Sequence, residues 1–383
     1  MEKFVLFGAG ELGKEALKYF GFEKIECFID NDKTKWGKSI DGKRIISIDE
    51  YKSRYTNEII ICAAWEYVCE IVTQLEKEKI LNYRVFTLQL FEEYNVLVNQ
   101  YEEFEGLSEN VWNEKVRTDR NNIAINAYVN KIKDKVPLFH EIEIETINRC
   151  NGVCSFCPVN RNMDSRKEKR MDEHLFEKII NELSMLNYAG RVALFSNNEP
   201  FLDERILEFS EYARKLLPKA KIHLFTNGTL LTIPIFLEII NYLDELIIDN
   251  YNQELKLIPP VKQIKEYLDV CESDETRKKV KILLRKPDEI LSSRGGEAPN
   301  RKKILDVGED TCALPFQQLI IRPSGKVSLC CNDPLGKETL GDLTKQTLLE
   351  VWYGEKYKKI RNSIVGGRKN IKQCSNCDTF MQI

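Results

Sequence analysis

The first 90 residues alternate between short apolar runs and amphipathic stretches. Short apolar runs bounded by glycine or polar residues are typical of buried strands. Four such runs are predicted as strands, at residues 3–8, 25–29, 58–63 and 84–88. Residues 12–20 and 68–78 place apolar side chains at helical spacing. Because strands alternate with helices, the pattern predicts a parallel sheet in an α/β domain over residues 1–90.

A second and longer alternation begins at Glu141. Its predicted strands lie at residues 141–146, 192–196, 221–226, 245–249, 280–285 and 318–322. Its predicted helices lie at residues 173–186, 206–217, 234–243 and 261–270. Parallel strands joined by crossover helices form open sheets or barrels. The pattern therefore predicts an open, partial (β/α)6 barrel, which we place at residues 139–305.

The segments on either side of this barrel have a different pattern. Residues 91–138 are rich in Glu, Asn, Lys and Tyr, show helical periodicity in places, and are predicted to be a helical linker. Residues 306–383 are rich in cysteine and turn residues, and we expect a metal to hold them together. The predicted fold class is α/β, with a parallel sheet first, the barrel in the centre and a metal-binding domain last.

Charge narrows the possible partners. The formal net charge is -3, with 57 Lys and Arg spread among 60 acids. A phosphate backbone requires a basic stripe that this balance does not provide, so neither nucleic acid nor an anionic membrane is an expected partner. The N-terminus shows no signal-peptide pattern, and no apolar run approaches the roughly 18–20 residues of a transmembrane helix. We expect a soluble cytoplasmic protein.

Twelve cysteines are many for a chain in a reducing compartment, where disulfides are uncommon. Four stand alone and are expected to be ordinary thiols: Cys27, Cys62, Cys69 and Cys271. The other eight fall in two groups, of which the first is Cys150, Cys154 and Cys157. Three thiolates on a [4Fe-4S] cluster leave one iron open to bind another molecule. Zinc is the alternative, although its fourth ligand would have to come from outside this loop, where His140 and His174 lie.

Three motifs follow barrel strands at their carboxyl ends, where such barrels place their chemistry. The first is the cysteine group, with Phe156 before its last member. The second is Ser-Asn-Asn-Glu-Pro at residues 196–200, and the third is Thr-Asn-Gly-Thr at residues 226–229. Together they resemble the cluster signature, the Gly-Gly-Glu-Pro edge and the ribose-side turn of the radical S-adenosylmethionine (SAM) superfamily. Two asparagines replace the glycines of that edge, which weakens the expectation that backbone carbonyls bind the methionine amino group.

The resemblance implies a SAM molecule bound to the open iron of a [4Fe-4S] cluster. That iron would chelate the amino and carboxylate groups of the methionine moiety, and the three cysteines would bind the other irons. The expected SAM-binding residues are Phe156, Ser196, Asn198, Glu199, Thr226, Asn227 and, as a partner for the methionine carboxylate, Arg285.

The second cysteine group lies near the end of the chain, around a hairpin turn at residues 323–325. Its spacing resembles the short twitch form of the SPASM domain, through Cys312, Cys330, Cys374 and Cys377. The resemblance implies an auxiliary [4Fe-4S] cluster, and a zinc ribbon would use the same four thiols. Cys331 is left over and is the candidate catalytic residue, as a hydrogen donor. A neutral thiol and a substitute ligand are the alternatives.

Glycines near the N-terminus predict a nucleotide site. Gly8, Gly10 and Gly13 follow the first strand, and Asp30 ends the second strand about 20 residues later, where dinucleotide-binding folds place a ribose-binding acid. This pairing resembles the small Rossmann-like domain found ahead of sugar-modifying domains in bacterial glycan pathways, which implies a nucleotide or nucleotide-sugar ligand. NAD binding and a purely structural role remain alternatives.

The predicted function is radical abstraction of hydrogen from a carbon atom. The resemblance implies that SAM yields a 5'-deoxyadenosyl radical, which attacks a sugar, nucleotide sugar or related small substrate and leads to oxidation, epimerisation or dehydration. Arg294, in the polar loop 292–300, is the candidate partner of a substrate phosphate or carboxylate, unless that loop is a plain surface loop. The expected reductant is a flavodoxin or ferredoxin. A peptide-modifying radical enzyme and a non-catalytic redox sensor are the alternative functions.

Overall fold

The computed structural model describes residues 3–86, 95–99, 101, 122–271, 273–301 and 310–379. Contacts divide the chain into two compact units, Met1–Leu90 and Phe91–Ile383. Each unit is built around its own sheet, of six strands in the first and nine in the second. Within the described ranges, no helix is both long enough and apolar enough to cross a membrane.

The first unit is a strand-helix alternation. Its elements are β1 (Phe4–Phe7), α1 (Glu11–Phe20), β2 (Ile25–Ile29), β3 (Ser39–Ile40), β4 (Lys43–Ile46), α2 (Ile48–Arg54), β5 (Glu58–Ile61), α3 (Trp65–Lys77) and β6 (Tyr83–Val85). The sheet order is β3-β4-β2-β1-β5-β6, and only β3 is antiparallel to its neighbour. Without β3, the parallel strands run third, second, first, fourth, fifth, which is the order of a doubly wound Rossmann-like sheet.

The predicted strands of this unit are confirmed, and three further elements were not predicted. The strand β4 has only two buried side chains, Ile45 and Ile46. The helix α2 has one, Tyr51, and it begins because the Ser47 hydroxyl accepts the Glu50 N–H at 3.1 Å. Such short apolar signals give no period in the sequence, so β3, β4 and α2 went unpredicted.

The second unit contains a long strand-helix alternation. Its first part consists of β7 (Leu97–Val98), α4 (Asn122–Ile132), β8 (Glu141–Ile144), α5 (Glu173–Met185), β9 (Arg191–Ala193), α6 (Ile206–Leu216), β10 (Lys221–Thr226), α7 (Ile233–Ile239), β11 (Glu245–Tyr251), α8 (Pro259–Val270), α9 (Asp274–Lys279) and β12 (Val280–Arg285). The remainder consists of α10 (Leu314–Gln317), β13 (Gln318–Ile321), β14 (Lys326–Ser328), β15 (Thr339–Asp342), α11 (Leu348–Trp352) and α12 (Glu355–Val365).

The nine-stranded sheet has the order β15-β14-β13-β8-β9-β10-β11-β12-β7. The strands from β13 to β7 in this order pair in parallel, whereas β14 and β15 are antiparallel to their neighbours. The predicted partial (β/α) barrel is confirmed. Its sixth predicted strand, β13, pairs with β8 at one side of the barrel, and the neighbour of β12 is the unpredicted strand β7.

The predicted helical linker, residues 91–138, lies partly outside the described residues. Of its described part, Asn122–Ile132 is a helix, but Leu97–Val98 is a strand of the barrel sheet. Two residues are too few to show an alternating period, which explains why this strand was not predicted. The domain boundaries at residues 138 and 305 remain predictions.

The cysteine-rich end of the chain continues the same sheet. The hairpin of β13 and β14 turns at Gly325, whose φ of 79° favours glycine and whose N–H donates to the Arg322 carbonyl at 2.9 Å. Cys330 and Cys331 follow β14 closely. The hairpin predicted at residues 323–325 is therefore confirmed, and its returning strand leads to the cysteines.

Candidate active site

The first cysteine group curls around Gly152 after β8. A Cβ placed on Gly152 would lie 3.3 Å from the Cys150 sulfur and 3.9 Å from the Cys154 sulfur, and the Gly152 N–H donates to Cys150 Sγ at 3.3 Å. Burial, with a smaller contribution from Cys157, raises the pKa of both thiols to about 12. The three thiols thus lie close enough together to repel one another as anions.

The turn after β10 is joined to this cysteine loop. Asn227 Nδ2 donates to the side-chain oxygen of Asn151, Oδ1, at 2.8 Å and lies 3.9 Å from Cys150 Sγ. Asn151 Nδ2 in turn donates to the Thr229 hydroxyl at 2.8 Å. The turn needs Gly228, which has a φ of 73° and on which a Cβ would meet the side chain of Val261 at 2.5 Å. The two predicted motifs therefore share one hydrogen-bonded network.

Glu199 ties the turn after β9 to the turn after β10. Its carboxylate accepts hydrogen bonds from the Thr226 hydroxyl at 2.7 Å, the Asn227 N–H at 2.8 Å and the Phe201 N–H at 3.2 Å. The side chain is buried, and burial raises its pKa to about 7 despite these bonds. Within the structure, Glu199 positions the turns, and its carboxylate oxygens face protein groups.

Asn198, in the same motif, presents an unpartnered amide. Its Oδ1 accepts the Ser196 N–H at 2.9 Å, while its buried Nδ2 has no hydrogen-bond partner in the part of the chain that the structure describes. A buried donor without a partner costs free energy, and a ligand, an ion or a water molecule can supply that partner. Asn198 Nδ2 is therefore suited to donate to a carboxylate or carbonyl oxygen.

The thiols of the second cysteine group lie close together near the end of the β13–β14 hairpin. Burial raises the pKa of Cys330 well above the usual range, and four other thiols raise it further, three of them Cys312, Cys374 and Cys377. The fourth is Cys331. The four predicted ligands therefore converge on one region, and Cys331 lies beside them.

Two buried charges hold the chain around these thiols. The Arg368 guanidinium donates to the carbonyl oxygens of Thr311, Cys377 and Thr379 at 3.1, 3.1 and 2.6 Å. Asp378 accepts the Ser293 N–H at 2.6 Å and pairs with Arg301 at 2.9 Å. The loop 292–300 is therefore anchored to the second cysteine group and is not a plain surface loop.

A polar cluster lies between the two cysteine groups. Arg294 Nη1 donates to Asn197 Oδ1 at 2.6 Å, and Asn197 Nδ2 donates to the Cys331 carbonyl oxygen at 3.1 Å and to Ser196 Oγ at 3.2 Å. Ser196 Oγ donates to Glu143 Oε2 at 2.6 Å. We call Glu143, Ser196, Asn197, Arg294 and Cys331 the bridging cluster.

The glycine turn of the first unit has the geometry of a dinucleotide-binding turn. A Cβ on Gly8 would lie 2.2 Å from the Cys62 carbonyl oxygen, and one on Gly13 would lie 2.0 Å from the Gly8 carbonyl oxygen. A Cβ on Gly10 would meet nothing within 4 Å. This division, two glycines for tight packing and one facing open space, matches the roles of the three glycines in such turns.

Asp30 is already engaged in that turn. Its Oδ2 accepts the Ala9 N–H at 2.9 Å and pairs with Lys35 at 2.9 Å, and its Oδ1 accepts the Asp32 N–H at 2.8 Å. The side chain is 9% exposed. The structure thus gives Asp30 a role in bracing the turn, and its predicted contact with a ribose stays a prediction.

Comparison with known families assigns the two cysteine regions. Residues 144–286 match the radical SAM superfamily, and residues 312–378 match SPASM, an iron-sulfur cluster-binding domain. Residues 144–286 therefore form a radical SAM domain. Residues 1–86 match the family described as C2185-like, N-terminal.

Known relatives of this radical SAM enzyme include one curated dehydrogenase. The S-adenosyl-L-methionine-dependent 2-deoxy-scyllo-inosamine dehydrogenase of Niallia circulans is 27% identical over 245 residues, covering 63% of this chain and 93% of the relative. The crystal structure of BtrN in complex with AdoMet and 2-DOIA has a TM-score of 0.54 at 24% identity, covering 63% and 94%. Streptococcus suis SuiB bound to precursor peptide SuiA has a TM-score of 0.45 at 16% identity, covering 77% and 79%. The BtrN likeness shows a shared fold.

The radical SAM domain implies a [4Fe-4S] cluster and SAM, and the SPASM domain implies auxiliary iron-sulfur binding. The residues present fit these groups. All twelve cysteines are free, so three thiols at one site and four at the other are available as ligands. Among the described residues no three His, Cys, Asp or Glu side chains close on a single metal ion. A cluster does not require that closeness, because its thiolates bind different irons.

Two predicted SAM contacts of this radical SAM enzyme have other partners. Arg285 donates to both carboxylate oxygens of Glu289 at 3.0 Å and pairs with Asp249 at 3.3 Å, so its guanidinium is already balanced by acids. Phe156 is 3% exposed and packs against the ring of Tyr251 at 5.8 Å. Their contacts with SAM stay predictions, and the structure gives each a packing or pairing role.

Sequence reasoning missed three residues of this site. Glu143 alternates with apolar residues along β8, and that alternation was a usable signal for an inward-facing acid. Asp378 directly follows the last cysteine, but its partner Ser293 lies 85 positions away. Arg368 lies in a turn with no motif around it. The partners of the last two are brought together only by the fold.

Proposed function

We propose that this enzyme oxidises a hydroxyl-bearing carbon of a small polar substrate, such as an aminocyclitol, a sugar or a nucleotide sugar. The single observation that carries the proposal is the similarity to the 2-deoxy-scyllo-inosamine dehydrogenase over 93% of that relative. The SAM-derived radical supplies hydrogen abstraction, and an auxiliary cluster supplies a place for the remaining electron. A substrate between the two sites would be within reach of both.

The bridging cluster supports this position for the substrate. Arg294 carries a permanent charge and Asn197 an amide, and both connect the SAM-side turn after β9 to Cys331 beside the second thiol group. Hydroxyl, amine and phosphate groups of a small substrate are recognised by such side chains. We propose Arg294 as the partner of an anionic or hydroxyl group of the substrate.

We propose that the first cysteine group binds the SAM-associated cluster and that the second binds the auxiliary cluster. In the SAM site, Ser196, Asn198, Thr226 and Asn227 line the two turns that the cysteine loop contacts, and Glu199 holds those turns together. The supporting observation is the unpartnered Asn198 amide. We also propose a flavodoxin or ferredoxin as reductant and a cytoplasmic location.

The test is a screen of deuterated substrates with anaerobically reconstituted protein. The first probe is 2-deoxy-scyllo-inosamine carrying deuterium on its ring carbons, followed by sugars and nucleotide sugars. We expect deuterium in 5'-deoxyadenosine and one ketone formed for each 5'-deoxyadenosine. Protein in which all three cysteines of the first group are replaced by Ala should form no 5'-deoxyadenosine. Cleavage of SAM that persists in that variant would refute the assignment.

The same screen separates oxidation from epimerisation. Epimerisation is the outcome expected if Cys331 donates a hydrogen atom to the substrate radical. A thiol that returns a hydrogen atom takes its hydrogen from solvent, so turnover in D2O would place deuterium in an epimer of the substrate. The oxidation proposal expects none there. Cys331→Ser should then change binding or coupling without abolishing ketone formation, whereas solvent deuterium that vanishes in this variant would favour epimerisation.

We propose a nucleotide or nucleotide sugar as the ligand of the first unit. The observation in favour is the open space at Gly10 beside the helix N-terminus. Calorimetry with nucleotide sugars, free nucleotides and NAD tests it, with Gly10→Val expected to weaken any binding because its side chain enters that space. No heat from any ligand would leave this unit without a nucleotide role.

A further inference from the structure

The strand β8 carries a buried acid that faces the SAM-side turn. Glu143 is 7% exposed, and its neighbours Ile142 and Ile144 are fully buried on the opposite face of the strand. Its carboxylate is reached from the next strand connection by the Ser196 hydroxyl at 2.6 Å.

Among the residues that the structure describes, the hydrogen bonds around Ser196 leave one position open. A hydroxyl group has one donor and two acceptor positions. The Ser196 donor goes to Glu143, and one acceptor position is filled by Asn197 Nδ2 at 3.2 Å. The second acceptor position can receive the hydroxyl proton of a substrate held at the bridging cluster. Ser196 is half-buried, so a substrate can approach it.

We propose that Glu143 is the proton acceptor of the oxidation and that Ser196 relays the substrate's hydroxyl proton to it. This inference rests on the proposed function. The C–H hydrogen atom leaves to the 5'-deoxyadenosyl carbon, the hydroxyl proton leaves to Glu143 through Ser196, and the remaining electron leaves to the auxiliary iron-sulfur cluster. The C–O single bond becomes C=O, and protons and electrons balance.

The electrostatic surroundings suit this role. Burial and the neighbouring Glu141 and Glu145 together raise the pKa of Glu143 to about 8, although the Ser196 hydrogen bond and Arg294 act to lower it. A base is most effective when its pKa lies near the working pH. Cys331 also lies near this carboxylate, because Glu143 raises the pKa of the Cys331 thiol. The carboxylate form, which is required, becomes more populated as pH rises.

The decisive variant is Glu143→Gln, which keeps size and hydrogen bonding but cannot take a proton. With the deuterated substrate selected by the screen, we expect deuterium still to enter 5'-deoxyadenosine while ketone formation falls about 10²-fold, the typical contribution of a general base. The rise of ketone formation with pH through pH 8 should disappear. Ser196→Ala should lower the ketone formed per 5'-deoxyadenosine by the same factor. The double variant should form no less ketone per 5'-deoxyadenosine than either single variant, because both residues act in one relay.

The matched control is Glu145→Gln, a second buried glutamate that lies one residue past the end of β8, whereas the Ser196 hydroxyl donates to Glu143. It should keep the coupling of wild-type protein. A readout independent of turnover is infrared difference spectroscopy, in which a carboxyl band should titrate in wild-type protein, shift in Ser196→Ala and vanish in Glu143→Gln.

Each outcome decides between the inference and the function on which it rests. Normal ketone yield per 5'-deoxyadenosine in Glu143→Gln would overturn the role of Glu143 and leave the proposed function intact. Wild-type protein that forms a solvent-deuterated epimer of the substrate and no ketone would overturn both. Equal loss of coupling in the Glu145→Gln control would reduce the effect of Glu143 to a general effect of buried charge.

Discussion

Replacement of Asp378 by Asn tests how firmly the loop that carries Arg294 is held. Asp378 is fully buried, and its two carboxylate oxygens accept the Ser293 N–H at 2.6 Å and two bonds from Arg301 at 3.1 and 2.9 Å. Asn has the same size and keeps an acceptor for Ser293. It turns an NH2 group toward the guanidinium, however, so Arg301 loses its anion while its side chain remains 11% exposed.

The magnitude follows from this geometry. A hydrogen bond to a charged group contributes about 1.5–3 kcal/mol, and removal of one partner of a buried ion pair costs about 3–5 kcal/mol. Because Arg301 retains some access to water, we expect the free energy of unfolding to fall by about 2–3 kcal/mol. At about 2–4 °C per kcal/mol for a unit of this size, Tm should fall by about 4–12 °C.

The assay is anaerobic thermal unfolding of reconstituted protein, followed by circular dichroism and by iron-sulfur absorption. The matched control is Asp269→Asn, which removes an exposed ion pair with Lys265 and should change stability by less than about 0.5 kcal/mol. Iron should also be lost faster to a chelator in the Asp378 variant, because Asp378 follows the ligand Cys377. A variant with the Tm and iron retention of the Asp269 control would refute the reasoning.

Three further predictions concern separate parts of the molecule. Joint replacement of Cys374 and Cys377 by Ala should remove about half of the iron and leave SAM cleavage uncoupled from product, which iron analysis and 5'-deoxyadenosine assays measure; complete loss of iron would refute the two-site assignment. Burial raises the folded-state pKa of Glu145 to about 7, so between about pH 4.5 and 7 the unfolded chain has lost a proton that the folded chain still holds, and stability falls at about 1.4 kcal/mol per pH unit. Glu145→Gln should therefore gain about 2 kcal/mol over wild type between pH 5.5 and 7.5 in denaturant titrations, and parallel pH curves would contradict this. Gly13→Ala should unfold the first unit, because its Cβ would lie 2.0 Å from the Gly8 carbonyl oxygen, whereas the Cβ of Gly10→Ala would meet nothing within 4 Å and should leave the unit folded. Equal Tm values for the two variants would disprove that packing.

Elements with a strong local period could be predicted from the sequence. The strand bounds of β2, β10 and β12 agree with the predicted ranges, because each is a continuous apolar or alternating run between turn residues. The strands β3 and β7 have two residues each, and no period exists at that length. Their pairing depends on strands distant in the sequence, which a local pattern does not contain.

The candidate site was predictable where residue type carries the chemistry. Thiols at cluster spacing identified the ligand groups, because few other functions need them in that arrangement. The surroundings were less predictable. Glu199 resembled a ligand contact, but its three hydrogen bonds go to protein groups, and Arg285 is matched by Glu289. Such pairings depend on which loops the barrel brings together.

The pairing of β13 with β8 has a consequence for the order of folding. Gln318 lies opposite Glu141 across a separation of 177 residues, so the strand that precedes the first cysteine group gains its outer neighbour only after most of the chain has been synthesised. Pairings between residues so far apart form slowly, since a long loop must close first. A chain that stopped at residue 305 would leave β8 with an unpaired edge, open to aggregation. A nascent chain therefore completes the parallel part of its barrel sheet only after Cys312, the first thiol of the second group, has been made.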